Sequence, residues 1–462
     1  MATQIGMRVL IIGAGTGGLC LAHGLKRARI DVQVYERDRT RKDGLYGYRV
    51  GIPPAGSYAM QQCVPPEVFD LFAATCARAP RYFNMLTEKM KEVGSIEMPD
   101  SGDPVDSEKS VSRMTLRQVL LTGLEENVSF DKKFARYWTN EDGTVTALFE
   151  DGTTATGDVL IGADGASSKV RTQRLPEARM EQTGIVSIGG KVPMTAESRA
   201  LVSKKVFEGI TLIQAPRGKG AIIHVMEFPW RRAGLEHAAG GNDAKLIAEW
   251  PGLLYDNTQD YMMWGVWAAR KNFPTNPMKT PQQEQLRIAK ELTAGWGSDF
   301  RRFMELTDVS TVFSIEIRTS VPLDPWATSN VTLLGDAVHT MTPGRGVGAN
   351  TAMRDAALLF RQLVEVRDGK RELIPALAAY EKEMLRYSAE AVIESRKQMD
   401  ARDVIHKPVI GRVVLAVMRT GMRVMNHVPA LKRRMAESAM KMRRIEGQQA
   451  RSRMAEATND VA

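Results

Sequence analysis

From Met7 to Glu36 the chain reads MRVLII, GAGTGG, LCLAHGLKRAR and, after Ile30, DVQVYE. An apolar run gives way to a glycine turn, then to apolar residues at helical spacing, then to strict alternation. That is strand, turn, helix, strand. Gly13, Gly15 and Gly18 stand at G-x-G-x-x-G spacing. Small residues there let the backbone close on a pyrophosphate, and the free N–H groups of the helix start stabilise its charge. Glu36 ends the second strand, where a carboxylate can accept from a pair of ribose hydroxyls. The glycine spacing alone is weak. With strand, helix and acid in place it is a dinucleotide fingerprint. The acid favours an unphosphorylated adenosine ribose, so FAD or NAD before NADP.

A second such edge lies near the other end. Residues 331–355 read VTLLGDAVHTMTPGRGVGANTAMRD. The apolar run Val331–Leu334 stops at Gly335-Asp336. A loop with Pro343, Gly344, Gly346 and Gly348 follows, then a helical pattern from Asn350. A helix start offers N–H groups to an anion, and Asp336 can accept from hydroxyls. Asn350 reads equally as an N-cap or a ligand contact. Two grips so far apart in sequence fit a ligand longer than one nucleotide.

Length and composition bound the rest. A chain of 462 residues can form two or three regions with real cores. Cys20, Cys63 and Cys76 make no metal or CxxC spacing, so buried thiols in a reducing compartment and no metal site are expected. No secretory leader and no long apolar run are read, so the expected location is cytoplasmic. The net charge of +9 is concentrated: Arg402–Arg453 holds 13 Lys and Arg against 3 Asp and Glu. The body is near neutral, so the high pI says little about a substrate.

Between these edges, residues 39–56 read as a charged, glycine- and proline-punctuated loop. Helices are expected over 57–77, interrupted at Pro65-Pro66, and over about 113–126. A hairpin turning at Asp151-Gly152 is expected within 143–162. Strands at 184–190, 207–214, 220–228 and 260–268 carry large side chains and are followed by a helix over about 282–305. This predicts a mainly antiparallel sheet backed by helices. After 356 the pattern is nearly all helical.

Two further motifs are weaker alone. DVLIGADGASSKVR (158–171) is a strand ending at Asp164-Gly165, followed by Ser167, Ser168 and Arg171. An ordinary Asp-Gly turn explains it as well as a site does. In VSRMTLRQVLL, Arg113 opens a helix and could reach a phosphate. Arg117 competes, and a solvated arginine is the plainer reading.

Taken in order and at their spacing, these four elements resemble the single-component (class A) FAD-dependent aromatic-hydroxylase-type monooxygenases. That family includes para-hydroxybenzoate hydroxylase, salicylate hydroxylase, zeaxanthin epoxidase and tetracycline-inactivating monooxygenases. The resemblance spans about residues 7–400. It implies an α/β fold: a Rossmann-like FAD-binding domain of GR2 type from 1–75, 100–175 and 325–400. An inserted, mainly antiparallel β-sheet substrate domain comes from 76–99 and 176–324, and a basic C-terminal helical region from 401–462. It further implies that Gly13, Gly15, Gly18, Glu36 and Arg37 hold the AMP half and Arg113 the pyrophosphate. Asp164 would handle cofactor and reductant, Asp336 the flavin side. Arg49, Val50 and Gly51 would flank the flavin ring opposite the loop Pro343, Gly346, Val347, Gly348 and Asn350. Val347 stands where the family often has Gln.

The implied reaction consumes NADPH or NADH and O₂ and inserts one oxygen atom, through a flavin C4a-hydroperoxide, into a mostly apolar aromatic or polycyclic small molecule. The reductant binds transiently, as no second glycine fingerprint is read. His224 and Tyr261 are the polar candidates on the substrate sheet, although a packed sheet residue is the plainer reading of each. The cluster at 261–267 reads as core before substrate lining. A flavin-dependent halogenase or isoprenoid reductase is the alternative, without the halogenase Trp-x-Trp-x-Ile-Pro signature; a cofactor-free binding protein is the non-enzymatic one. Val409–Met425 reads as an amphipathic helix with Arg412, Arg419 and Arg423 on one face, expected to point to water. Peripheral membrane contact or docking of a partner is the alternative there. No nucleic-acid module accompanies the charges. Monomer and homodimer both stay open.

Overall fold

The computed structural model describes residues 6–40, 49–98, 105–229 and 259–428, with four further residues up to Arg434. A five-stranded sheet runs in the spatial order Val331–Leu333, Val159–Gly162, Arg8–Ile12, Asp31–Tyr35, Val128–Ser129, and every neighbouring pair is parallel. Leu10 pairs with Leu160 and Gln33, and Val9, Leu10, Ile11, Leu160 and Ile161 have no exposed surface. Burial on both faces is why these strands are continuous apolar runs. The helices Thr16–Arg27 and Gly348–Arg367 pack together against this sheet within one core.

The expected hairpin is present as Val145–Phe149 and Thr154–Gly157, and Phe134–Thr139 adds a third strand. Its turn holds Gly152 at φ +82°, with Thr153 N–H donating to Asp151 Oδ1 at 3.0 Å. A seven-stranded sheet follows in the order Asp308–Ser320, Met180–Pro193, Tyr261–Ala269, Gly220–Met226, Gly209–Gln214, Tyr82–Thr87, Glu92–Glu97. It is antiparallel except where Gly209–Gln214 meets Tyr82–Thr87. The four expected strands are here. Asp308–Ser320 and the pair at 82–97 are additions, diluted in sequence by Glu, Ser and Thr on half-buried faces.

Several expected elements are corrected. The helix over 282–305 is two, Gln282–Leu292 and Ser298–Glu305, because Gly295 and Gly297 interrupt it and Trp296 turns in to pack on Phe300 at 4.8 Å. The 57–77 region is helical with its break at Pro65-Pro66, as expected, but its first helix starts earlier, at Pro54: the two are Pro54–Cys63 and Pro66–Ala74, each with proline in its first turn. Within 39–56, residues 49–52 are a strand paired antiparallel with Lys109–Ser112; residues 41–48 lie outside the described residues. The helix expected from Asn350 begins at Gly348.

Candidate functional site

The first strand, Arg8–Ile12, has Asp31–Tyr35 on one side and Val159–Gly162 on the other. The chain therefore reverses its direction of travel across the sheet at this strand, and open α/β sheets bind ligands at the carboxyl ends beside such a point. Gly13, Glu36, Asp164 and Asp336 all follow the carboxyl ends of these parallel strands.

Gly13 has φ +108°, and a Cβ there would stand 2.5 Å from the Ala163 carbonyl oxygen. A Cβ on Gly18 would stand 2.4 Å from the Gly13 oxygen. Gly15 differs: nothing lies within 4 Å of its Cβ position. The helix after it has no side-chain cap and no acid in its first turn, so its N–H groups stay available to an anion. Glu36 is buried. Its Oε2 accepts from Ala14 N–H at 2.7 Å and its Oε1 from Asp38 N–H at 3.0 Å. Arg117 closes this end, 2.8 Å from Asp38 and 3.5 Å from Glu36, with Nε donating to the Ala14 carbonyl. The two competing arginines thus separate. Arg117 is fixed beside the glycine turn, while Arg113 is exposed at its helix start and its charge reaches Asp336. Arg37 is exposed beside Glu36.

Asp164 caps the short helix Lys169–Arg174. Its Oδ2 accepts from Lys169 N–H at 2.8 Å and Val170 N–H at 3.3 Å, while Oδ1 is buried with no partner among the described residues. Burial raises its carboxyl above the usual range against the pull of the Ser168 hydroxyl and these N–H groups. The same helix presents Arg171, whose guanidinium donates to the Ala337 and Ala166 carbonyls at 2.9 Å. The Asp-Gly motif therefore fixes the turn that bears Asp336.

The Asp336 side chain is exposed, yet protein surrounds it closely enough that burial raises its carboxyl, against the pull of His339 and Arg113. Gly348 stands against the carboxylate, 3.7 Å from its Oδ1 to the Cβ position. Behind the turn lies a cluster that the motif reading missed. Asp355 is fully buried. Its Oδ2 accepts from Gly335 N–H at 2.9 Å and lies 2.6 Å from His339 Nε2, and Tyr387 O–H donates to its Oδ1. Burial alone would lower the His339 pKa, but Asp355, by charge and hydrogen bond, and Asp336 lift it above the ordinary value. A buried Asp at helical spacing was the only sequence signal, and it does not name its partners.

The Pro343–Asn350 loop turns through Gly346 at φ +63°. Asn350 is not an N-cap. The cap position is Val347 without a side-chain bond, and Asn350 Nδ2 donates to the Gly346 and Gly51 carbonyls, both at 2.9 Å. Its Oδ1 is buried and unpartnered among the described residues, and Gly56 leaves it room: a Cβ there would collide with it. This side chain ties the glycine-rich loop to the strand Arg49–Ile52. From that strand Arg49 Nε donates to Ser110 Oγ at 3.1 Å, and Ser110 Oγ lies 3.1 Å from His224 Nε2. Burial, reinforced by Arg49, holds the His224 pKa well below its ordinary value, so the ring is neutral.

The strand Tyr261–Ala269 alternates between two faces. Met262, Trp264, Val266 and Ala268 enter the core under the helices. Tyr261 and Met263 join Met226 and Phe228 in a separate cluster on the other face, with Met263 paired to His224. Residues 261–266 are all buried, as the core reading expected, in clusters on two faces, and Trp267 is half-buried. Lys191 Nζ stands 4.5 Å over the Tyr261 ring.

A sequence profile described as an FAD binding domain matches residues 108–395. The chain belongs to that flavoprotein family. The dual O-methyltransferase/FAD-dependent monooxygenase CTB3 of Cercospora beticola is 31% identical to this flavoprotein over 399 residues, covering 81% of the chain and 44% of the fungal protein. The chain thus spans less than half the length of that curated relative. The FAD-dependent monooxygenase cctM of Talaromyces islandicus is 28% identical, covering 84% of this chain and 91% of its own. A crystal structure from Photorhabdus luminescens, described as an FAD-containing monooxygenase, superposes with a TM-score of 0.73 at 31% identity, covering 86% of this flavoprotein and 98% of that chain.

Proposed function

We propose that this chain is an FAD-dependent monooxygenase that uses NADPH or NADH and O₂ to hydroxylate or epoxidise a mostly apolar aromatic or polyketide-like small molecule. The observation that carries the reading is the exposed Asp336 carboxylate, which has no hydrogen-bond donor among the described residues and shares its sheet edge with the open Gly15 turn. A dinucleotide with polar groups at both ends fits that edge. The monooxygenase relatives support the reaction class.

In this reading Gly13, Gly15 and Gly18 receive the pyrophosphate with Arg113, and Glu36 uses its remaining lone pairs on the ribose, since a carboxylate offers about four. Asp336 accepts from hydroxyls of the flavin side chain. Arg49–Gly51 and Pro343–Asn350 flank the ring, held at a fixed spacing by Asn350. Residues 1–75, 100–175 and 325–400 carry the cofactor, and 76–99 with 176–324 the substrate. FAD bound there would supply the redox and oxygen-activating chemistry. The protein must keep water from that chemistry, and the Tyr261, Met263 and Met226 face is apolar enough to do so. His224, neutral and linked to the ring-flanking strand through Ser110, acts there as a hydrogen-bonding group and not as a cation.

Purified protein should be yellow or take up added FAD; a colourless protein that binds none refutes the cofactor. Phenolic and polycyclic compounds that stimulate NAD(P)H oxidation should yield product heavier by one oxygen. Stimulated oxidation with an unaltered or reduced compound refutes oxygen transfer.

A further inference from the structure

The helix Ile410–His427 packs on the seven-stranded sheet with Arg412 and Arg423 exposed, as expected, while Arg419 departs from that expectation. Gly411 and Leu415 are buried, Arg419 turns inward to the Glu88 carboxylate and the Gln214 carbonyl, and Asn426 Oδ1 takes Ser95 N–H at 3.4 Å. Of the three arginines only Arg419 meets the body. What faces water is an apolar face at helical spacing: Ile410, Val413, Val417 and Val424, exposed by 54, 58, 66 and 53%; past the helix end Val428 and Leu431 are exposed by 38 and 41%. Single exposed apolar residues are ordinary, but four on one face of one helix mark a contact surface.

Charge selects the partner. Arg412 and Arg423 are exposed beside the stripe. From Val404 to Ala436 the sequence has seven Lys and Arg and no Asp or Glu. A second copy of this helix would meet the stripe with like charges and no carboxylate to pair them. An anionic bilayer surface complements both features: valines enter the acyl boundary while arginines reach lipid phosphates. Among the described residues no helix is long and apolar enough to cross a membrane. Lys432, Lys441, Arg443 and Arg444 lie outside the described residues and enter only as sequence. We infer that the outer face of Ile410–His427 docks this protein on anionic phospholipid bilayers, independently of the reaction it catalyses.

The test is co-flotation of the full chain with phosphatidylcholine vesicles, with and without phosphatidylserine. Binding should be about tenfold or more stronger with phosphatidylserine, and high salt should weaken it. Val413→Ser, Val417→Ser and Val424→Ser together should reduce it about a hundredfold, since three exposed apolar anchors are lost. Their exposure means that FAD content and thermal stability should stay near the parent values, which separates lost docking from misfolding. The inference is overturned if the full chain does not float with anionic vesicles, or if the triple variant floats as well as the parent. It is equally overturned if the parent is a dimer that the serines convert to monomer with lipid binding unchanged, because the stripe is then a subunit seam.

Discussion

Replacing Asp355 with asparagine tests how the Asp336 turn is held. The carboxylate is fully buried and serves three groups: Gly335 N–H, His339 Nε2 and Tyr387 O–H. Asparagine keeps the volume. Its oxygen can stay on Gly335 and His339 while its amide faces the Tyr387 hydroxyl, so what is lost is charge rather than packing. A hydrogen bond to an ionised partner contributes about 1.5–3 kcal/mol and a neutral one about 0.5–1.5. Three bonds weakened by about 1 kcal/mol each give a loss of about 3 kcal/mol. Part of it depends on pH. The folded His339 pKa is raised above its ordinary 6.5, so its stabilisation is complete below that value and is lost as pH rises through the folded value. The slope is at most about 1.4 kcal/mol per pH unit. Denaturant unfolding of parent and Asp355→Asn from about pH 6 to 8 should show the widest gap at the acidic end. FAD retention should fall with it, because Gly335 positions Asp336. Equal stability at every pH, or a gap that does not narrow as pH rises, refutes the role given to this cluster.

The other predictions address single contacts. Asp336→Ala should weaken FAD binding about 10- to 100-fold, the loss of one or two hydrogen bonds to a charged acceptor; unchanged affinity by flavin fluorescence titration removes its assigned role. Gly13→Ala and Gly15→Ala should part company. The first meets a left-handed backbone and a carbonyl at 2.5 Å and should cost about 3 kcal/mol of stability. The second has open space, so it should leave stability within about 1 kcal/mol while FAD affinity drops; matching behaviour of the two in melting and FAD titration contradicts this. His224→Gln should change the pH response in the sense opposite to His339. The folded His224 pKa is depressed, so the parent loses stability as pH falls below about 6.5, and the variant should lose less. An identical acid limb for both proteins in thermal melts argues against a neutral buried ring.

How much was legible depends on how local each signal is. Strand, glycine turn and helix are set by neighbouring residues, so the sequence alone determined the fold class, the fingerprint and the carboxylates Glu36, Asp164 and Asp336. The glycine roles were legible only in part, since a side chain at Gly13 would meet the Ala163 carbonyl, 150 residues away, while one at Gly15 would meet nothing within 4 Å. Helix 282–305 was read as one because its period runs across the Gly295–Gly297 break. The separate places of Arg113 and Arg117, the bonds of Asn350 and the Asp355–His339–Tyr387 cluster came only from tertiary structure, because each is a contact between segments far apart in the chain. The C-terminal helix shows the same limit most plainly. Sequence period established that it has an apolar and a basic side. Which side meets the body was settled by Glu88 and the strand Glu92–Glu97, whose place at the sheet edge no local pattern encodes.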